Sequence, residues 1–114
     1  MPVLLITMKR AIPQRNNRMS KYLLKLFITG QTPRSERAIA NLKRICEEEL
    51  RGQYEMVIID TLERPQLAEE ENVLATPMLI KQLPPPLRRI IGDLSDVEKV
   101  LLGLELQTLN GTPG

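Results

Sequence analysis

The amino-acid sequence predicts an α/β fold with the element order βαβαββα in one domain over residues 21–107. Two observations support this prediction: strand-like apolar runs alternate with helix-like patterns along that range, and the composition favours an aliphatic core. Only 3% of the 114 residues are aromatic, while 42% are hydrophobic, so Leu, Ile, Val and Ala must supply most of the core. A chain of this length can bury one such core but not two.

The first three elements have the clearest patterns. The run "KYLLKLFIT", closed by Gly30, is apolar and rich in strand formers, as expected for a buried central strand. In the following segment Thr32 suits a helix N-cap, Pro33 suits the first helical position, and Gly52 lies where a C-cap belongs. Between them the apolar residues form one helical stripe: Ala38, Ile39, Leu42, Ile45, Cys46 and Leu50. A second strand, "YEMVIID", completes a βαβ unit, which predicts parallel pairing and a right-handed crossover.

The second half of the domain is less regular. A short helix is expected from Pro65 to Glu71 and a third strand in "PMLIKQL", whereas Val73 and Leu74 fit either neighbour. Three consecutive prolines, residues 84–86, cannot lie inside a helix or a central strand. We therefore expect them to form a stiff corner between the strands Met78–Leu83 and Leu87–Ile91, which double back as a hairpin at a sheet edge.

The last helix is expected in "SDVEKVLLGLEL". Ser95 and Glu98 have the spacing of a capping box, and Gly103 lies inside the helical pattern. A glycine there costs the helix about 1 kcal/mol relative to alanine.

The two ends of the chain differ from the domain. Residues 1–20 contain Lys9, Arg10, Arg15 and Arg18 but no acidic residue, and we expect a disordered basic extension there and a flexible tail at 108–114. Basic termini without interleaved aromatic residues are more often solvated than bound to nucleic acid, so nucleic-acid binding is the weaker interpretation. No apolar run approaches the ~20 residues that cross a bilayer, which favours a cytoplasmic protein without a membrane contact.

Residue content argues against most enzyme chemistry. The chain has one cysteine and no histidine, so it lacks a two-thiol redox motif and the commonest metal ligand. No cofactor is expected. Cys46 falls on the apolar stripe of the first helix, where a small core residue is the simpler interpretation than a reactive thiol.

The order βαβαββα is that of a thioredoxin-like domain. Pro77, which opens the third strand, falls where that fold carries a cis-proline. The loop after the first strand reads "GQTPRS" where the enzymes of the superfamily place their two cysteines. A thiol oxidoreductase or peroxidase nevertheless stays as the alternative function.

Three segments resemble the KaiB family of circadian clock proteins. They are "KYLLKLFITGQTPRSERAI", "RPQLAEEENVLATPMLIK" and "LPPPLRRIIGDLSDVEKVLLGLEL", and the similarity extends over about residues 21–107. The resemblance implies a non-enzymatic protein that docks on the N-terminal ATPase ring of a KaiC-type hexamer. It also implies a change from a resting homo-oligomer, a tetramer or dimer with the order βαββααβ, to a thioredoxin-like monomer.

The resemblance also assigns residues. It places partner contacts after the second strand and on the first helix, at Arg37, Leu62, Arg64, Gln66, Leu67, Glu69 and Glu70. It connects Tyr22, Gly103 and Glu105 with the balance between the two folds. KaiA and a thioredoxin-like sensor kinase domain are further candidate partners. Met56, Asn72 and Thr108 depart from the clock-type pattern, which weighs against KaiA.

Overall fold

A computed structural model describes residues 21–106, and the predicted basic extension and tail lie outside the described residues. The order βαβαββα is confirmed within this range. The elements are β1 (Tyr22–Ile28), α1 (Pro33–Ile45), a π-helical segment (Cys46–Leu50), β2 (Tyr54–Asp60), α2 (Pro65–Glu70), β3 (Met78–Leu83), β4 (Arg88–Ile91) and α3 (Val97–Gly103). The strands form one sheet in the order β2-β1-β3-β4, with β1 parallel to β2 and the other pairs antiparallel.

The sheet separates two hydrophobic clusters. Side chains alternate along β1, so that Leu24 and Leu26 point to one face while Phe27 points to the other. The larger cluster lies on the first face, beneath α1 and α3, and includes Leu42, Leu79 and Leu104 among its buried residues. The smaller cluster lies on the second face beneath α2; its buried members are Phe27, Ile59, Met78 and Ile80.

The first helix begins where the sequence predicts. The Thr32 hydroxyl accepts a hydrogen bond from the backbone N–H of Ser35 at 3.0 Å, and Pro33 occupies the first turn. The helical chain continues as a π-helix from Cys46 to Leu50, a feature that the sequence pattern does not reveal. Both end residues of this π-helical segment stay buried, so the predicted apolar stripe is retained through it.

The last helix begins one residue later than the predicted capping box requires. Asp96, and not Ser95, is the N-cap, and its Oδ1 accepts from the backbone N–H of Lys99 at 3.2 Å. Both residues are good N-caps, and Asp96 has the extended backbone that a cap needs. Ser95 instead donates its backbone N–H to Asp93 Oδ1 at 3.1 Å. The capping-box prediction is therefore wrong in register.

The hairpin between β3 and β4 turns at the three prolines, as predicted, and β4 forms an edge of the sheet. Lys81 on β3 is only 1% exposed because it pairs with Leu24 and shares the face of the larger cluster. Its Nζ donates to the carbonyl of Pro84 at 3.0 Å. The chain thus satisfies a buried ammonium group with a backbone oxygen of the proline corner.

Within residues 21–106, no helix is both long and apolar enough to cross a membrane.

Candidate functional site

Loops from all four strands meet at one end of the sheet, which we call the Pro77 end. β1, β2 and β4 finish there and β3 begins there, so residues 29–32, 61–64, 74–77 and 92–95 lie together. The peptide bond before Pro77 is cis, as predicted from the position of this proline at the start of the third strand. The predicted partner contacts lie on this end or on the helices that begin there.

Most of these predicted contacts are exposed: Arg37 on α1, Leu62 and Arg64 before α2, and Gln66, Glu69 and Glu70 on α2. Leu62 is 69% exposed. Leu67 differs from this group because it is half-buried and packs against the smaller cluster beneath α2. Its side chain therefore contributes to holding α2 on the sheet.

Asp60 fixes the position of Leu62. One carboxylate oxygen, Oδ1, accepts hydrogen bonds from the backbone N–H of Gly30 at 3.0 Å and of Leu62 at 2.9 Å. The loops that follow β1 and β2 are thereby tied to one acceptor. Gly30 has a φ of 71°, and a Cβ there would lie 3.4 Å from Leu62 Cδ1, so glycine is needed for its backbone conformation.

Three threonine hydroxyls connect a third loop to these two. Thr29 Oγ1 lies 3.0 Å from Thr61 Oγ1 and 2.7 Å from Thr76 Oγ1. The segment before Pro77 is thus held beside the ends of β1 and β2. This arrangement brings Leu74, which is 91% exposed, to the same end of the sheet as Leu62.

Arg37 has a partner within the chain. Its Nε lies 3.4 Å from Asp93 Oδ2, and Asn41 Nδ2 donates to the Asp93 backbone carbonyl at 2.8 Å. Hydrogen bonds from Ser95, and secondarily the interaction with Arg37, lower the pKa of Asp93. Arg37 therefore joins α1 to the loop after β4 while its guanidinium stays largely exposed.

Cys46 lies away from the Pro77 end, at the start of the π-helical segment, and is 0% exposed. Burial, followed by the nearby charge of Glu47, raises the pKa of its thiol from 9.0 to about 12. A nucleophilic cysteine needs the opposite shift and access to solvent. Among the described residues, no group of three His, Cys, Asp or Glu side chains could hold a metal ion.

The three residues that the family resemblance connects with fold balance lie at the end of the sheet opposite the Pro77 end or on the helix that ends there. Tyr22 begins β1, and Glu105 follows α3 and pairs with Arg88 at the start of β4, with 2.6 Å between Glu105 Oε2 and Arg88 Nη2. Glu105 has a φ of 57°, which is unfavourable for a side chain with a Cβ. Gly103 faces β4, where an added Cβ would lie 3.3 Å from Ile90 Cδ1.

Sequence reasoning missed several residues that build the Pro77 end. In the sequence, Asp60 is only the polar residue that ends the second strand. Thr29, Thr61 and Thr76 belong to no recognisable motif. Leu74 was recognised only as ambiguous between two elements. These roles depend on which strands become neighbours, and local patterns do not contain that information.

The fold and the Pro77 end define a thioredoxin-like domain whose β1–α1 loop carries no thiol. The chain belongs to the KaiB family, because the KaiB domain model matches residues 25–106.

Curated relatives agree with this membership. The circadian clock protein KaiB3 of Synechocystis sp. is 61% identical over 88 residues, which cover 77% of this chain and 86% of the relative. The circadian clock oscillator protein KaiB of Microcystis aeruginosa is 61% identical over 85 residues, covering 75% and 82%.

Solved structures agree on the fold. The N-terminal domain of Synechococcus elongatus SasA superposes with a TM-score of 0.62 at 25% identity, covering 90% of this chain and 97% of that domain. Mitochondrial thioredoxin 3 of Saccharomyces cerevisiae gives a TM-score of 0.61 at 19% identity, covering 79% and 84%. At that identity the similarity to thioredoxin concerns the fold alone.

Proposed function

We propose that this chain is a non-enzymatic regulatory protein that docks on the N-terminal ATPase ring of a KaiC-type hexamer. It would act in the cytoplasm, in circadian timing or in a regulatory system derived from it. Family membership supports this proposal, because the relatives at about 60% identity are circadian clock proteins. The structural observation that carries it is Leu62, a 69% exposed leucine held in place by Asp60.

The charge around Leu62 suits a protein partner. Glu63 and Arg64 are exposed neighbours of Leu62, and Glu69 and Glu70 follow on α2. A central apolar side chain with a polar rim is the usual composition of a protein–protein interface. Arg37 extends this surface onto α1, provided that a partner carboxylate competes with Asp93 for its guanidinium.

We also propose that the protein rests as a tetramer or dimer in the second fold, βαββααβ. Three features of the second half support two states of similar free energy: the left-handed backbone of Glu105, the helical Gly103 and the buried Lys81. Each of them disfavours the thioredoxin-like fold by a modest amount. KaiA and a thioredoxin-like sensor kinase domain are secondary candidate partners.

The thiol oxidoreductase alternative has little physical support. Cys46 is fully buried, and its raised pKa keeps it protonated at neutral pH. Reduction of insulin disulfides by dithiothreitol would detect such an activity; we expect no acceleration above the uncatalysed rate.

The proposed partnership is tested by mixing the purified chain with the KaiC homologue of the same genome and ATP. Size-exclusion chromatography with light scattering should show a species heavier than the ATPase hexamer and containing both proteins. Migration of the two proteins as separate species, at concentrations up to tens of micromolar and after long incubation, would contradict the proposal.

A further inference from the structure

We infer that Glu71 positions α2 for partner binding, by joining the end of this helix to Lys25 of β1 and Arg89 of β4. This inference rests on the proposed function and adds the way in which the contacts on α2 are held in place. Neither the sequence patterns nor the family resemblance gives a role to any of these three residues. They act on the partner only through the position of α2.

The helix α2 has few apolar contacts of its own with the sheet. In the described range 21–106, none of its residues, Pro65–Glu70, is buried. Leu67 on the helix and Val73 after it are the partly buried side chains that pack against the smaller cluster. A helix of six residues is too short to be stable by itself in water, so its position must depend on further contacts at its ends.

Glu71 supplies such contacts where α2 ends. Its Oε2 lies 3.6 Å from Lys25 Nζ, and its backbone carbonyl accepts a hydrogen bond from Arg89 Nη1 at 2.5 Å. The side chains of Lys25 and Glu71 are only 27% and 24% exposed, so solvent and salt screen this ion pair less than a pair on the open surface. One residue thus fastens the helix to an inner strand and to an edge strand of the sheet.

The backbone turn after Glu71 explains why a basic side chain from β4 fits there. The Asn72 N–H donates to the Glu69 carbonyl at 3.1 Å, and Asn72 has a φ of 57°. The Val73 N–H donates to the Ala68 carbonyl at 2.9 Å, so the chain leaves the helix directly after Glu71. The last carbonyls of a helix have no partner within it, and a basic side chain commonly donates to them. Here the donor belongs to another element, which fixes the end of α2 relative to β4.

The exposed side of α2 is therefore presented from a helix that is held at both ends. Glu69 and Glu70 are exposed, whereas Glu71 is partly buried against the sheet. At the other end of the helix, the Arg64 N–H donates to the Asp60 carbonyl at 2.9 Å. Side chains on a fixed helix lose less conformational entropy on binding than side chains on a mobile one.

Charge reversal of the pair Lys25 and Glu71 tests the inference. Lys25→Glu places two carboxylates together and Glu71→Lys places two ammonium groups together, so each single variant should bind the hexamer of the KaiC homologue about fivefold more weakly. The double variant restores opposite charges and should bind within about twofold of the native chain. Affinities are measured by isothermal titration with ATP present. Lys43→Glu, the same substitution on an exposed residue of α1, should leave the affinity unchanged.

Amide exchange in the free, 15N-labelled chain measures whether α2 itself has loosened. The Val73 amide, which bonds back to α2, should exchange about fivefold faster in each single variant and at the native rate in the double variant. If a reversal does not fold, Glu71→Gln and Lys25→Met replace the two substitutions. Each should then weaken binding about threefold, and the two together should lose no more than either one alone.

The outcomes separate this inference from the proposed function. If the native chain forms no complex, both fail. If the native chain binds while the single variants bind equally well, or while the double variant shows the two losses combined, the partnership stands and the inference is overturned. A Val73 amide that exchanges at the native rate in the single variants would overturn it as well.

Discussion

The hydroxyls of Thr29 and Thr76 lie 2.7 Å apart and connect the end of β1 to the residue before Pro77. This contact spans 47 residues of sequence, and with Thr61 it holds three loops in one surface. The Pro77 end is therefore held as a fixed surface, which would lower the entropy cost of binding a partner.

Asp60 should be the residue on which the position of Leu62 depends. Asp60→Ala removes the acceptor for two backbone N–H groups and should cost about 1–3 kcal/mol in the free energy of unfolding, measured in urea. Asp60→Asn keeps a carbonyl oxygen in the same place and should lose less stability. Equal losses for the two variants would show that the carboxylate charge, and not the acceptor geometry, holds the loops.

Cys46 should make the fold sensitive to alkaline pH. The pKa of its thiol is about 12 in the fold and 9.0 without burial, so the folded chain binds more protons between these values. The stabilisation is complete below about pH 9 and is lost as the pH rises toward 12. The loss amounts to at most about 4 kcal/mol, since each pKa unit corresponds to 1.36 kcal/mol. Urea midpoints of the native chain should therefore fall over this range.

Cys46→Ala provides the control for this pH dependence. The variant should be less stable at neutral pH because it loses part of a buried side chain, yet its stability should decline less from pH 9 upward. If the stability of the variant declines as steeply with pH as that of the native chain, groups other than Cys46 cause the pH dependence. Tyr54 contributes in the same direction, since burial raises the pKa of its phenol, while Lys81 opposes it because burial lowers the pKa of its ammonium.

Gly103→Ala sets helix propensity against packing. Alanine favours the helical state by about 1 kcal/mol, which, in the equilibrium that we propose between two folds, would shift the protein toward the thioredoxin-like monomer. The new Cβ would lie 3.3 Å from Ile90 Cδ1, so the benefit depends on whether that methyl group can move. Ile90→Val removes this methyl group at a cost of about 0.5–1.5 kcal/mol.

A double-mutant cycle separates these two effects. We expect Gly103→Ala to increase the monomer fraction in sedimentation velocity more strongly in the Ile90→Val background than alone. The same shift in both backgrounds would mean that Ile90 accommodates the methyl group freely. If neither background shows a shift, Gly103 has no part in the proposed balance between folds.

Local sequence patterns predicted the elements because each one has its own signal. The apolar stripe from Ala38 to Leu50 and the hairpin around residues 84–86 are examples. The patterns failed where two residues compete for one role, as Ser95 and Asp96 do at the start of α3. They also could not reveal that Lys81 is buried, because its burial follows from pairing with Leu24 across the sheet.

The candidate site was predictable only in part. The family resemblance named Leu62 and Arg64, which the structure places together at the Pro77 end. The roles of Asp60, the threonine hydroxyls and Leu74 were not predicted, because they arise from contacts between loops that are far apart in sequence. Leu67 shows the limit of transferring contact residues from the family by sequence position. Its side chain is half-buried and packs against the smaller hydrophobic cluster, so it is not wholly available to a partner.

The central claim is that a KaiC-type ATPase binds at the Pro77 end, and isothermal titration of two leucine variants into the KaiC homologue tests it most directly. Leu62→Ser and Leu102→Ser each remove one highly exposed leucine, and neither should change the thermal unfolding midpoint by more than about 1–2 °C. We predict that Leu62→Ser weakens the affinity about tenfold or more, while Leu102→Ser binds like the native chain. Equal affinities for the two variants, or a loss confined to Leu102→Ser, would contradict the account.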